Sequence, residues 1–390
     1  MKSVLIFAPW WQHETHVGNL RLRRHVAWLR EAGYRVTIVD SGLQFSLSED
    51  DGLTRITIPD PLRMHVAPTP GSPAPRKPNA LRRWLAYAML IPDPSIVWAR
   101  RAMSHPVVRH AVRTSSLIMS SSPPEAAFIA CAKLSRRYGI PFWMDMRDGW
   151  LDEPLKPLLR TSAIQRWRER RLEAFCLSTA AAVTVTSDQW ASMLAARYPQ
   201  HASKIRVVTN AAPESVGRTL PPSESISLCY AGRLTSSRPE RDVNDLAMAL
   251  KLLKPHRFTV IGSLTADEHE EVTKRGWTIR HEQPREALLQ TLASESGLVL
   301  LSASKGSIPA KFFDYLATGR PILGIAPRES AAWEAMSKAP QAFAVDLEEP
   351  MSPALSKFIQ ATAQAEPTSV PHDFTEEAVK IRFMEVLSCL

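Results

Sequence analysis

The sequence predicts an α/β protein built from two doubly wound domains in tandem. Three observations carry this reading. Apolar runs of strand length alternate with amphipathic helical stretches, the alternation occurs as two separate series, and a polar, Pro-rich segment divides them. A strand in a parallel sheet is covered on both faces, so it reads as an unbroken apolar run. The chain has 390 residues, 45% of them apolar, which suffices for about two or three cores.

The first series opens with the apolar run SVLIFAP. The helical NLRLRRHVAWLREAG follows, with Leu22, Val26 and Leu29 at helical spacing and Gly33 just past its end. YRVTIVD is the next strand. Then come strand SLIMSSS, helix PEAAFIACAKLSRRYG, strand IPFWMDMRD, strand AAVTVTS, helix DQWASMLAARYP and strand KIRVVTNAA. A linker is expected at PESVGRTLPPSES. The second series reads strand ISLCYAGRL, helix DVNDLAMALKLL, strand RFTVIGS, helix REALLQTLASES and strand GLVLLSA. A helix over 309–318 and strand PILGIAP complete it, and an amphipathic FTEEAVKIRFMEVL lies near the end. Two such domains leave a cleft facing the carboxyl ends of both sheets, where ligands of these sheets bind.

Charge is unevenly placed. The net charge is +9, yet residues 1–213 carry 29 Lys and Arg against 16 Asp and Glu. A basic half beside a mildly acidic one points to an anionic partner. Arg21, Arg23 and Arg24 share one helix, and RKPNALRRW and RWRERR interleave Arg with Trp. That mixture suits an anionic membrane surface; no nucleic-acid motif accompanies it. The start has no signal-peptide pattern and no apolar run reaches membrane-spanning length, so the chain is expected to be neither exported nor integral. Cys131, Cys176, Cys229 and Cys389 form no ligand spacing and read as reduced core residues of a cytosolic protein.

The stretch SKGSIPAKFFDYLATGRPIL concentrates the chemistry. Pro309 suits the first helical position and Ser307 a cap. Gly319 ends the helix and Pro321 prevents its continuation. Free N–H groups at such a helix start form an anion site. Lys311 lies in the first turn, where the helix dipole alone would favour an acid, so a cation there makes sense beneath an anion. Asp314, one turn on, could accept from vicinal hydroxyls, as acidic residues do for ribose. A capped surface helix with an ordinary charge pair is the plain alternative. In YAGRLTSSRPERD, Gly232 ends a strand and Arg233 and Arg238 follow it; Arg reads phosphate with a fork of donors.

IPAKFFDYLATGRPIL and YAGRL together resemble the donor-site helix and G-R segment of GT-B glycosyltransferases of family 4, in the bacterial surface-polysaccharide branch. SSPPEAAFIACAKLSRRYGIPFWMDMRDGW, IPDPSIVWARRA and VVTNAAP are similar to that family's first domain. The resemblance covers nearly the whole chain. It implies a GT-B fold: residues 1–213 as an acceptor-side Rossmann-like domain, completed by a terminal helix of about 373–390 that crosses back to it, and 214–372 as the nucleotide-sugar domain. It also implies that Arg233, Arg238 and Lys311 hold a donor diphosphate, with helix N–H groups from Ile308 to Lys311 completing the cradle and Ser307 among the donor-binding residues. Asp314 stands where a Glu usually holds ribose, and Gly18 matches the family's glycine in the loop after the first strand.

The implied reaction is transfer of a sugar from a nucleotide-sugar donor, retaining and without metal or cofactor, to a lipid-diphosphate-linked oligosaccharide for cell-surface polysaccharide. The implied location is cytoplasmic, peripheral on the cytoplasmic membrane. Amides and cations can stabilise the leaving diphosphate directly. The candidate catalytic residues are His16, in HETH, and Asp145 and Asp148, at the end of PFWMD; a buried Asp–Arg structural pair is the other reading of the latter. His13, Glu14 and His16 lie beside Gly18, and the H-x-x-H of the two histidines could suggest a metal, but the pair lacks a further ligand at metal-site spacing. Two departures stand out: Gly306 replaces an earlier Glu that usually contacts the sugar, and the usual first-domain His is absent, which leaves the sugar open. A nucleotide-sugar epimerase of the same architecture and a non-catalytic sugar-nucleotide-binding partner are the alternatives.

Overall fold

The runs of strand length pair into two sheets, and the order of strands decides where a ligand can sit. The computed structural model describes residues 2–13, 17–50, 52–64, 89–152, 162–219, 225–234, 243–253, 255–346, 353–363 and 366–390. They belong to two units: Met1–Thr186 with Ala191–Val208 and Arg382–Leu390, and Ser187–Trp190 with Thr209–Ile381.

The first unit begins with β1 (Ser3–Phe7), α1 (Val17–Glu31), β2 (Arg35–Gly42), β3 (Ser46–Asp50) and β4 (Leu53–Pro59). After α2 (Ile96–Ser104) and α3 (Pro106–Arg113) come β5 (Leu117–Ser122), α4 (Ala126–Tyr138), β6 (Phe142–Met146) and α5 (Ala163–Thr179). β7 (Ala182–Val185), α6 (Asp188–Arg197), whose first residues group with the second unit, and β8 (Ile205–Val207) close the series. The sheet runs β3-β4-β2-β1-β5-β6-β7-β8, parallel except for the β3–β4 pair. Val4, Leu5, Ile6 and Phe7 are all inaccessible, so β1 is covered on both faces. The β3–β4 hairpin was not read from the sequence; every residue of β3 is exposed, so no apolar run marks it.

The second unit has the same plan. β9 (Ser227–Ala231), α7 (Val243–Leu253), β10 (Arg257–Ile261), α8 (Ala266–Lys274), β11 (Thr278–Arg280) and α9 (Arg285–Ala293) form its first half. β12 (Gly297–Leu301), α10 (Ala310–Thr318), β13 (Ile322–Ile325), α11 (Ala331–Ser337), β14 (Ala342–Val345), α12 (Pro353–Thr362) and α13 (Glu376–Ser388) complete it. All six strands are parallel, in the order β11-β10-β9-β12-β13-β14. Cys229, Leu298 and Leu300 pack with α10 on one face, and Leu228, Tyr230 and Val299 pack with α7 and α12 residues on the other. The sheet is therefore doubly wound.

The last residues of α13, from Arg382, group with the first unit. Phe383 is inaccessible there, its ring centroid 4.5 Å from His25 and 4.6 Å from Trp143. Part of the expected linker is held by the second unit, since the Val216 N–H donates to the Ala317 carbonyl at 2.8 Å. Cys131, Cys176 and Cys229 are buried free thiols, but Cys389 is exposed, which corrects its reading as a core residue. Among the described residues no helix is long and apolar enough to cross a membrane.

Candidate functional site

In both sheets the strand order reverses direction at one point, and the loops at the carboxyl ends of the two strands flanking it are the usual ligand position. In the second sheet these strands are β9 and β12. Gly232 and Arg233 follow β9, and Ser302–Pro309 follows β12 and leads into α10. Two motifs lying about seventy residues apart in the chain thus open at one switch point.

They also touch. Gly232 has φ +113°, a conformation that side chains rarely adopt, and a Cβ there would lie 3.0 Å from the Lys311 Nζ. That ammonium stands 3.8 Å from the centre of the Tyr230 ring, a cation held on an aromatic face. Tyr315, on the next turn of α10, accepts from the Ala231 N–H at 2.9 Å and pins the helix to the end of β9. The loop before α10 is fixed as well. Ser304 Oγ accepts from the Ser307 N–H at 3.2 Å, Gly306 O from Ser187 Oγ at 2.6 Å, and Lys305 O from the Ala331 N–H at 2.7 Å. Ile308 packs against the core.

One local expectation is corrected. Pro309 is the N-cap, extended at φ −57° and ψ 130°, and the helix starts at Ala310 with no side-chain cap, so Ser307 does not cap it. The proline ring fixes φ but leaves ψ free to stay extended. Gly319 ends the helix in the left-handed conformation, as its sequence position requires.

Two partners, Glu282 in the loop after β11 and Arg285 at the start of α9, were not visible in the sequence. Glu282 lies 3.6 Å from the Arg233 Nε, both side chains being more than half exposed. Arg285 donates to Asp314 Oδ1 at 2.5 Å. A loop of mixed polar residues shows no pattern that would announce such pairs. Arg238 lies outside the described residues.

In the first unit, α1 starts at the carboxyl end of β1, and Gly18 is its second residue. The Arg147 guanidinium fills the space a Cβ at Gly18 would occupy. Arg147 also donates to Asp148 Oδ2 at 3.4 Å, and Asp148 keeps about a third of its side chain exposed. Asn19 donates to the Trp10 and His13 carbonyls, which ties the preceding loop to α1. His16 and Glu14 lie outside the described residues, and among those described no group of three metal-ligating side chains converges.

Asp145 is inaccessible and engaged on both oxygens. Oδ1 accepts from Arg21 Nη2 at 2.8 Å and Thr184 Oγ1 at 2.7 Å; Oδ2 accepts from Arg21 Nε at 3.1 Å and Ser121 Oγ at 2.7 Å. Burial, the largest single influence, would raise this carboxyl, but the charge of Arg21 together with the hydrogen bonds donated by Arg21 and Ser121 holds the group well below the usual carboxylate range. Arg21 donates onward to the Val208 carbonyl at 2.8 Å. Its expected place on a basic surface is therefore corrected: Arg21 is 5% exposed and belongs to a buried ion pair. Arg23 stacks on Trp11, 4.5 Å from the ring centroid. Beside the pair, burial and then Arg21 push His25 down to about 3, so it stays neutral.

Residues 18–211 match the family model described as the glycosyl transferase 4-like domain. No curated protein matches the chain in sequence. Among solved structures, Anabaena HepE in complex with UDP and glucose superposes with TM-score 0.61 at 14% identity, over 100% of both chains. The lipopolysaccharide outer core galactosyltransferase WaaB gives 0.60 at 12%, over 100% of this chain and 99% of that one. A glycosyltransferase from Rickettsia africae gives 0.51 at 12%, over 99% and 98%. The whole chain thus has the fold of GT-B glycosyltransferases.

Proposed function

We propose that the protein transfers a sugar from a nucleotide-sugar donor to a lipid-diphosphate-linked oligosaccharide in cell-surface polysaccharide synthesis, at the cytoplasmic face of a membrane. The observation that carries the donor half is the contact of Lys311 with Gly232, which joins a cation, a side-chain-free strand end and a helix start at the switch point. HepE has been solved with UDP and with UDP-glucose, and its shared fold supports a donor of that class. On this reading Lys311 and Arg233, with Arg238, neutralise the diphosphate, and the N–H groups of Ile308, Ala310 and Lys311 at the start of α10 complete the cradle. Asp314 holds the ribose once Arg285 moves aside.

The leaving diphosphate needs neutralising charge at the moment the glycosidic bond breaks, and fixed cations and amides supply it. No metal is required for that, and the sugar is transferred with retention. Gly18 and the overlying Arg147 line the acceptor side. Of the three catalytic candidates, Asp148 keeps exposed carboxylate surface, whereas the satisfied bonds of Asp145 suit a positioning role for α1 and β6. His16 remains a candidate from the sequence.

The test is incubation of the purified chain with nucleotide sugars and a lipid-diphosphate acceptor, with and without excess EDTA. Glycosylated lipid with the donor's anomeric configuration, formed at the same rate in EDTA, is the expected result. Nucleotide-sugar conversion without acceptor would favour an epimerase. Loss of turnover restored by one divalent ion would overturn the metal-free mechanism.

A further inference from the structure

Helix α5 sorts its charges by direction. Over its first turns Ile164, Arg166, Trp167, Arg168, Arg170 and Arg171 are exposed, whereas Glu169 and Glu173 are only 2% and 0% exposed. Glu173 turns inward to the Tyr198 hydroxyl at 2.8 Å and to Arg197 at 3.2 Å. The two acids that dilute the positive charge of this helix in the sequence are therefore turned away from solvent, and among the described residues of its exposed face stand four arginines. Among them stand two large apolar side chains, Ile164 at 69% and Trp167 at 56% exposure. The Arg171 guanidinium lies 4.9 Å from the Trp167 ring centroid, so charge and ring share one spot.

The face is also held still. Cys176 and Leu177 are inaccessible on the opposite side of the helix, and Arg136 of α4 lies over Phe175. At the helix start Gln165 Oε1 accepts from the Ser162 N–H at 3.4 Å. A fixed helical surface that mixes Arg with Trp and Ile matches a partner with anionic groups in a plane and apolar material directly beneath. A bilayer with anionic headgroups has that layering: guanidinium groups meet phosphates, while Trp and Ile enter the acyl boundary. Nucleic acid would offer phosphates to the arginines but no apolar layer to Ile164.

We propose that the solvent face of α5, centred on Ile164 and Trp167, is the surface through which the protein docks on an anionic lipid bilayer. This deepens the membrane part of the reading above and is independent of the donor chemistry.

Co-sedimentation of the full chain with vesicles tests it. Wild type is expected to bind phosphatidylcholine vesicles containing phosphatidylglycerol, to bind phosphatidylcholine alone weakly, and to be released by salt. Each surface Arg contributes about a fivefold factor in partitioning, so Arg168→Gln with Arg171→Gln should weaken binding roughly 25-fold. Lipids brominated in the acyl chain should quench part of the tryptophan fluorescence, and Trp167→Phe should bind but lose that quenching. All variants should keep wild-type unfolding temperature and nucleoside-diphosphate affinity, because the altered side chains are exposed.

If wild type binds anionic vesicles and the double Arg variant binds them equally, α5 is the wrong surface although the membrane reading stands. Quenching that persists in Trp167→Phe overturns the proposal in the same way. If wild type ignores anionic vesicles, or binds only RNA, both the surface and the membrane reading fall, while the sugar-transfer reading is judged separately by its own assay.

Discussion

Replacing Lys311 by Met separates a ligand-binding cation from a structural one. Methionine keeps most of the length and apolar bulk but removes the charge. In the free protein the ammonium gives up water for a place 3.8 Å from the Tyr230 ring centre and against Gly232. Losing a cation–π contact costs about 0.5–2 kcal/mol, and relief from burying a charge offsets part of it. Unfolding free energy should therefore change by no more than about 1 kcal/mol. Diphosphate binding should suffer more. A hydrogen bond to a charged group contributes roughly 1.5–3 kcal/mol, so affinity for UDP should fall about 10- to 150-fold, while uridine, which has no phosphate, should lose almost nothing. Calorimetric titration with both ligands and urea unfolding of both proteins supply the four numbers. Equal UDP affinity with a large loss of stability would refute the argument and make Lys311 a structural residue.

Gly18→Ala should fold normally, because the displaced group is the end of the flexible Arg147 side chain, yet sugar transfer should drop as that guanidinium leaves its position; kinetics beside thermal unfolding would check this. Asp145→Asn leaves the buried Arg21 without its carboxylate, and unfolding by denaturant should show a loss of about 3–5 kcal/mol. Glu282→Gln frees Arg233 from an exposed ion pair; such pairs contribute about 0.2–1 kcal/mol, so UDP should bind up to about fivefold more tightly in calorimetry. Two buried groups oppose each other in acid. His25, lowered to about 3, is protonated only in the unfolded chain below pH 6.5 and removes stability as pH falls. Asp40, raised to about 7 chiefly by burial, is protonated in the folded chain over the same window and adds stability as pH falls. Each slope is about 1.4 kcal/mol per pH unit, so Asp40→Asn should make acid destabilisation between pH 6.5 and 4 visibly steeper in pH-dependent denaturation.

Parallel central strands were legible because burial on both faces writes itself into the chain: VLIF, LCYA and LVLL need no partner to be recognised. The hairpin of β3 and β4 was not, since SLSED at the sheet edge buries nothing. Gly232 and Lys311 could each be singled out locally, by a glycine ending a strand and a cation in a first helical turn. Their contact depends on strand order, which no local pattern records. Arg21 misled for a related reason. It sits among arginines on an amphipathic helix, and only the fold brings it to a carboxylate 124 positions away. Glu282 and Arg285 illustrate the limit most plainly, because an ordinary loop residue and the first residue of α9 become partners of the candidate site only through the path of the chain after β11.

The place of Phe383 bears on how the protein is made. Its ring fills a gap lined by His25, Trp28 and Trp143 in the first unit, but it is translated after the whole of Thr209–Ile381, which belongs to the second. A ribosome delivers the sheet of the first unit early and its closing aromatic last. The earliest-made half of the molecule must wait with an open apolar seam while the later half emerges and folds, so the second unit is the one able to complete itself first.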